Sequence, residues 1–290
     1  MLFSIIIPTF NNFSYLKLTI DSILKNSFYE HQLIIHINGK DDLSEKYLKE
    51  KKIEYTISEK NIGLCSGVNK ASKLSKTKFV VYAHDDMFFL PKWDLYLYNE
   101  INKIGHQYFF LSGTQIGPIE YGKDLPNHIY YDVGKDLTNF DSEKLLNNYS
   151  NLEFYDLQGS HWAPHIIHKD IWEKIGGFSE EFDPGFGSDP DLNMKLWNIG
   201  VRIFKGVNKS RIYHFGSVTT RKNNQVVRNK ANKTFLLKWK ISIPFFIKYY
   251  LRRGEQFSYP LTKVNYNFTS FFEYIICKIK LLAYKTKILK

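Results

Sequence analysis

Four short apolar runs, residues 3–7, 33–37, 53–57 and 79–83, fall within the first ninety residues, and helical stretches separate them. The fourth, Phe79-Val-Val-Tyr-Ala83, is apolar without interruption, the pattern of a strand covered on both faces. A first helix is expected over about 15–26, with Leu16, Ile20, Ile23 and Leu24 on one side, a charged second over about 43–51, and a third opened by Asn61-Ile-Gly63 and running to about residue 75. Strands that alternate with helices through short connections pair in parallel with right-handed crossovers, so this rhythm predicts an α/β fold with a doubly wound, mainly parallel sheet. A helix opened by Pro91, a strand over 108–112 and a helix over 169–175 ended by Gly176-Gly177 continue the pattern. Residues 118–160 are irregular and are expected to form acceptor-side loops.

Charge enters where the apolar run ends, at His84-Asp85-Asp86. In open α/β sheets ligands bind beyond the carboxyl ends of strands, where adjacent carboxylates can hold a divalent cation and through it a phosphate. The same pair would also serve simply as a cap or turn before Pro91. A second acidic stretch reads Phe182-Asp183-Pro-Gly-Phe-Gly-Ser188-Asp189-Pro190-Asp191-Leu192. Pro190 suits a first helical position with Asp189 as N-cap, and Leu192, Leu196 and Ile199 follow on one face until Gly200. Either carboxylate can act structurally at a helix N-terminus or as a base held rigidly in a cleft. His161, His165 and His168 lie on an expected strand containing Pro164, with 161 and 165 on one face and 168 on the other, which disfavours a three-His metal site. No Gly-x-Gly-x-x-Gly follows the first strand and no P-loop is present.

Six features come in a fixed order: Ser4-Ile-Ile-Ile-Pro8-Thr9-Phe-Asn11-Asn12, the Asn61-Ile-Gly63 turn with Asn69 beyond it, the strand ending in Asp85-Asp86, Gly176-Gly177-Phe178, Ser188-Asp189-Pro190-Asp191-Leu192, and Tyr213-His214-Phe215. Over roughly residues 3–220 this order resembles the family 2 glycosyltransferases of GT-A fold. The resemblance implies inverting transfer of a sugar from a nucleoside-diphosphate donor (UDP, dTDP or GDP) to a glycan or lipid-linked acceptor. It implies that Pro8, Thr9, Asn11, Asn38, Asn61, Gly63 and Asn69 shape the donor pocket, with Asp85, Arg211, Arg221 and Lys222 toward the diphosphate. Asp85, Asp86 and His214 would hold Mn²⁺ or Mg²⁺, Asp189 would act as general base with Asp191 assisting or orienting it, and His161 and Trp162 would stand on the acceptor side. Two positions depart from the family pattern. Ala83 stands where the first carboxylate of Asp-x-Asp is usual, which leaves Ala-His-Asp-Asp and brings in His84, and Asn38 or Ile37 stands where an acid often contacts uracil.

The formal charge of +11 is unevenly placed: residues 1–200 carry 20 Lys and Arg against 27 Asp and Glu, residues 201–290 carry 20 against 2, so the parts net −7 and +18. The acidic first part and the lack of a recognised nucleic-acid motif argue against a nucleic-acid partner. The expected division is a catalytic domain over 1–228 and a basic, aromatic helical extension over 229–290. Helices are expected over 235–239, 243–251 and 268–289, the last a basic amphipathic helix suited either to an anionic membrane surface or to docking on the domain. From two distant cysteines, no basic leader and no spanning-length apolar run, the expectation is a cytoplasmic protein, either free or peripheral at the inner face of a membrane. A catalytically weak GT-A-like binding protein is the other reading of the same motifs.

Overall fold

The structure, a computed structural model, describes residues 1–118, 128–216 and 225–286. The first half runs β1 (Ser4–Thr9), α1 (Phe13–Asn26), β2 (Gln32–Asn38), α2 (Asp42–Glu50), β3 (Glu54–Ser58), α3 (Leu64–Ser72), β4 (Phe79–Tyr82), β5 (Met87–Phe89), α4 (Trp93–Ile104) and β6 (Phe109–Gly117). Then follow β7 (His128–Tyr130), α5 (Ser142–Asn148), β8 (Leu157–Gln158), β9 (His165–His168), α6 (Lys169–Lys174), α7 (Ser188–Asn198) and β10 (Ile203–His214). The chain ends in α8 (Gln225–Trp239), α9 (Ile243–Phe245) continuing into a π-turn over Phe246–Tyr250, and α10 (Phe268–Lys285).

One sheet has the order β3-β2-β1-β4-β9-β6-β10-β5, with β7 beside β6 and β8 beside β10. The left half, β3-β2-β1-β4, is parallel, as the alternating pattern predicts. The right half is mixed: β9 is antiparallel to both β4 and β6, and β5 is antiparallel to β10. The fold is thus a mainly parallel sheet flanked by helices, as expected.

Amphipathic spacing fixes the helices. α1 buries Leu16, Ile20 and Ile23, whereas Leu24, expected on that side, is 59% exposed, because the packed face is centred on the i, i+4, i+7 positions. The turn after α1 is tied to α4 by the buried Asp94, whose carboxylate accepts from the Phe28 and Tyr29 backbone N–H groups and pairs with His31 Nε2 at 3.0 Å.

Three expectations on local structure are corrected. Residues 158–168 are not one strand: β8 stops at Gln158, a cis Ala163–Pro164 bond follows, and β9 begins only at His165, so His161 shares no strand face with His165. α7 is capped not by Asp189 but by Gly187 at φ 80°, which puts Asp189 at the second and Pro190 at the third helical position. Proline is tolerated there because N–H groups of the first turn have no intrahelical acceptor. α4 likewise starts at Trp93, after Pro91 and Lys92 have turned the chain.

The expected boundary at residue 228 falls inside α8. Phe235, Phe245, Phe246, Leu251, Cys277 and Leu281 join the apolar cluster of the sheet, so the C-terminal segment packs as part of the same core. Gln158 N–H also donates to Glu255 O and Phe257 N–H to Asp156 O, lacing residues 255–257 along β8.

Candidate functional site

The carboxyl ends of β1, β2 and β4 open on a cavity of about 540 Å³. Its walls include Pro8, Thr9, Asn38 and Asn61 on one side and, on the other, residues 184–189, a loop that runs into the first turn of α7, with Tyr82, His84, Asp85 and Asp86 at its base. Each wall has a local cause. Asn38, at the end of β2, accepts from Ile62 N–H at 2.7 Å and donates to Gly63 O at 3.0 Å, so it braces the 61–63 turn. Asp183 braces the opposite loop: its carboxylate accepts from Cys65 N–H, Ser66 N–H and Ser66 Oγ at the N-terminus of α3. This is the favourable end of the helix for a negative charge. Gly63 stands between the two, at φ 96°, where a Cβ would lie 2.2 Å from Asp183 Cγ. Gly63→Ala is therefore expected to cost about 3 kcal/mol or more and to lower the melting temperature by roughly 6–10 °C, measurable by calorimetry.

His84, Asp86 and His214 each bring a ligand atom within 4.8 Å of the others. His214 Nδ1 lies 3.4 Å from Gln115 Oε1, and Gln115 Nε2 donates to Ala163 O at 2.6 Å, which fixes the amide's orientation. Nδ1 is then the donor, and the buried Nε2 of His214 is directed at Asp86, 3.2 Å from its Oδ1. Burial, with help from His214, pushes His84 down to about 4, so its imidazole is neutral and able to ligate at neutral pH. Two imidazoles and a carboxylate converging beside the cavity fit a divalent transition metal. Of the expected ligands, Asp86 and His214 belong to this group. Asp85 does not, because its Oδ2 is turned to β1 and accepts from Thr9 Oγ1 at 2.7 Å. Burial and the neighbouring Asp86 raise Asp85 to about 7.

Asp189 comes from the other wall. Its Oδ1 is buried with no hydrogen-bond partner among the described residues, and burial raises its pKa to about 7. Tyr82 lies between the two acidic centres: burial, then the charges of Asp189, Cys65, Asp85 and Asp86, hold its hydroxyl well above the usual range. Carboxylates that sequence places 104 positions apart, Asp85 and Asp189, thus face one cavity.

Other expected site residues lie elsewhere. Asn69 clamps Phe178 through both amide atoms at 2.9 Å, joining α3 to the Gly176-Gly177-Phe178 turn. Arg211 is buried and donates to the carbonyls of Asn208, Tyr149 and Leu152, so its guanidinium is occupied within the fold rather than aimed at a diphosphate. Asp191 is fully buried, accepts from Trp239 Nε1 at 2.7 Å and pairs with Lys238, so it fastens α8 to α7 instead of reaching the cavity. Trp162 is buried and donates to Gly113 O, His161 Nδ1 lies 2.9 Å from Gly159 O, and neither lines the cavity. His165 is packed against Tyr82 and Phe110, and burial lowers it to about 3. Asn11 is exposed at φ 50° beside the cavity-lining Phe10. Arg221 and Lys222 lie outside the described residues. Gln115, Asp183 and Tyr82 carry parts of the site that no motif indicated. Gln115 lies beyond the expected strand over 108–112, in the run Ser112-Gly113-Thr114-Gln115, which carries no signal for it.

Comparison with known proteins bears on the family and the fold. Residues 4–171 match the profile of glycosyl transferase family 2. An uncharacterised glycosyltransferase of Rickettsia prowazekii is 28% identical over 233 residues, which are 78% of this chain and 68% of the relative. A Rickettsia typhi counterpart is 27% identical over 238 residues, 79% of this chain and 70% of its own. Among solved structures, S. aureus TarS 1–349 in complex with UDP superposes at a TM-score of 0.55 with 15% identity, over 81% of this chain and 66% of TarS 1–349. GalNAc-T7 with UDP, GalNAc and Mn²⁺ superposes at 0.56 with 14% identity, over 83% of this chain and 51% of its own. This chain therefore spans about half to two thirds of these solved chains, and the likeness to them is one of fold.

Proposed function

The chain belongs to glycosyl transferase family 2, and on that premise we propose that it transfers a sugar from a nucleoside-diphosphate donor to a hydroxyl of a glycan or lipid-linked acceptor, by one displacement that inverts the anomeric carbon. The observation that carries this reading is the shared cavity: His84 and Asp86 of the candidate metal-binding trio line it beyond β4, and Asp189, of raised pKa and with its Oδ1 unpartnered among the described residues, lines it from the first turn of α7.

Asp189 Oδ1 takes the proton of the acceptor hydroxyl as its oxygen bonds to the anomeric carbon. The bond from that carbon to the diphosphate oxygen breaks, and the nucleoside diphosphate leaves with the electron pair. A base of pKa about 7 is half ionised near neutrality and so is matched to the task. When a divalent cation is bound, it supplies charge neutralisation for the departing diphosphate. His84, Asp86 and His214 would hold it, with Gln115 orienting His214 and Thr9 turning Asp85 away from the ligand set. Pro8, Thr9, Asn38 and Asn61 form the wall suited to the nucleoside. Asn38 spends its amide on the 61–63 turn, so the base is recognised by that turn's shape as well as by side-chain chemistry. UDP is the donor nucleotide favoured here, because the UDP complexes of TarS and GalNAc-T7 share the fold.

A thermal-shift series with UDP, dTDP and GDP, with and without Mn²⁺, tests the reading. A ligand at 100 times its dissociation constant adds roughly 2.7 kcal/mol, so a clear upward shift is expected with UDP and Mn²⁺ together and little with either alone. If no nucleoside diphosphate shifts the melting point with Mn²⁺ present, the assignment fails.

A further inference from the structure

α10 rests on the protein through Ser270, Cys277 and Leu281, which are 0%, 3% and 8% exposed, while its opposite side is apolar and bare. There Phe268, Phe271, Phe272, Ile275, Ile279 and Leu282 are 89%, 56%, 60%, 37%, 62% and 63% exposed. At about 100° per residue these six fall within an arc of roughly 100°. Lys278 and Lys285 border one edge of the stripe and Lys280 lies beyond the other. Behind that second edge, α8, α9 and α10 enclose a cavity of about 810 Å³ with Lys230, Lys233 and Lys280 among its walls and Leu236, Ile243 and Ile276 at its apolar surface. No helix among the described residues is long and apolar enough to cross a membrane. A stripe of this size without a partner marks an interaction surface.

We propose that α10 lies flat in the headgroup–acyl boundary of an anionic lipid bilayer, with the six apolar side chains in the acyl region and Lys278, Lys280 and Lys285 on the lipid phosphates. Charge decides among the possible occupants. The last 90 residues carry 20 Lys and Arg against 2 Asp and Glu, so pairing the stripe with a second copy would bring two strongly cationic segments together. A nucleic acid would answer the lysines and leave the apolar stripe in water. An anionic bilayer answers both features. The inference goes beyond glycosyl transfer and uses none of the residues that line the catalytic cavity.

Cosedimentation of the full chain with vesicles tests it. Binding is expected to phosphatidylcholine vesicles carrying about one third phosphatidylglycerol, and at least tenfold weaker to phosphatidylcholine alone. The triple variant Phe271→Ser/Phe272→Ser/Ile279→Ser should lose at least tenfold in vesicle affinity with an unchanged melting point and an unchanged UDP–Mn²⁺ thermal shift, which separates this test from that of the catalytic reading. Lys280→Glu/Lys285→Glu should erase the preference for anionic vesicles. Three results each overturn the proposal: vesicle binding that the serine substitutions leave intact, equal binding to both vesicle types, or a wild-type dimer in sedimentation equilibrium that those substitutions dissolve.

Discussion

Replacing Asp189 by Asn should lower turnover of a nucleotide sugar by about 10³-fold while leaving Mn²⁺ and UDP affinity unchanged, because the amide keeps the shape and loses only the proton-accepting oxygen. In the wild type the rate should rise with pH as Asp189 ionises, with an inflection near its pKa of about 7 and a plateau above it. The same group links to stability with a definite sign. Its folded pKa lies above the unfolded value near 3.9, so the folded state binds the proton more tightly and stability falls as pH climbs between the two values. Asp189→Asn removes that dependence, and at pH 8 the variant should be more stable than the wild type by up to roughly 4 kcal/mol. Rate loss with a gain in melting temperature identifies a base held at a cost in stability. A loss of both would point to a structural carboxylate.

The second large effect concerns the metal trio. His214→Ala should weaken Mn²⁺ binding by at least about 10²-fold, since it removes one of three converging ligands and the one already oriented by Gln115. His84→Ala should weaken Mn²⁺ more than Mg²⁺, because an imidazole favours transition metals over hard oxygen-seeking cations. The wild type should accordingly prefer Mn²⁺ to Mg²⁺. The attenuation of the free Mn²⁺ signal in electron paramagnetic resonance reads the affinity directly, without reference to turnover. Unaltered Mn²⁺ affinity in both variants would exclude this trio as the cation site.

The two carboxylate stretches were legible in the sequence for different reasons. Asp85 and Asp86 stand out because they end the most continuous apolar run, and a fully buried strand has to end where polar groups meet solvent or ligand. The parallel half of the sheet follows from its alternating elements. The antiparallel insertion of β9 does not, because the register of a short strand is set by tertiary pairing with β4 and β6 rather than by local pattern. Asp191 and Arg211 show the limit at the site. Asp191 sits in a motif of the resemblance and Arg211 two residues before another, yet burial turns each toward the fold: Asp191 to Trp239 and Lys238, Arg211 to three carbonyls. Spacing alone cannot distinguish a charge that faces a ligand from one that satisfies buried backbone groups. His84 is the opposite case. The loss of a carboxylate at Ala83 drew attention to it, and the structure places it in the trio with Asp86 and His214.

The account turns on a leaving group held at the end of β4 and a base acting from the first turn of α7 on the facing wall, an arrangement in which the incoming oxygen and the departing diphosphate would occupy opposite sides of the sugar. Proton NMR of the sugar first released when the protein hydrolyses its donor with Mn²⁺ present, read before the free sugar mutarotates, tests this most directly. The expected product has the anomeric configuration opposite to that of the donor; release of the sugar with the donor's configuration retained would contradict the account.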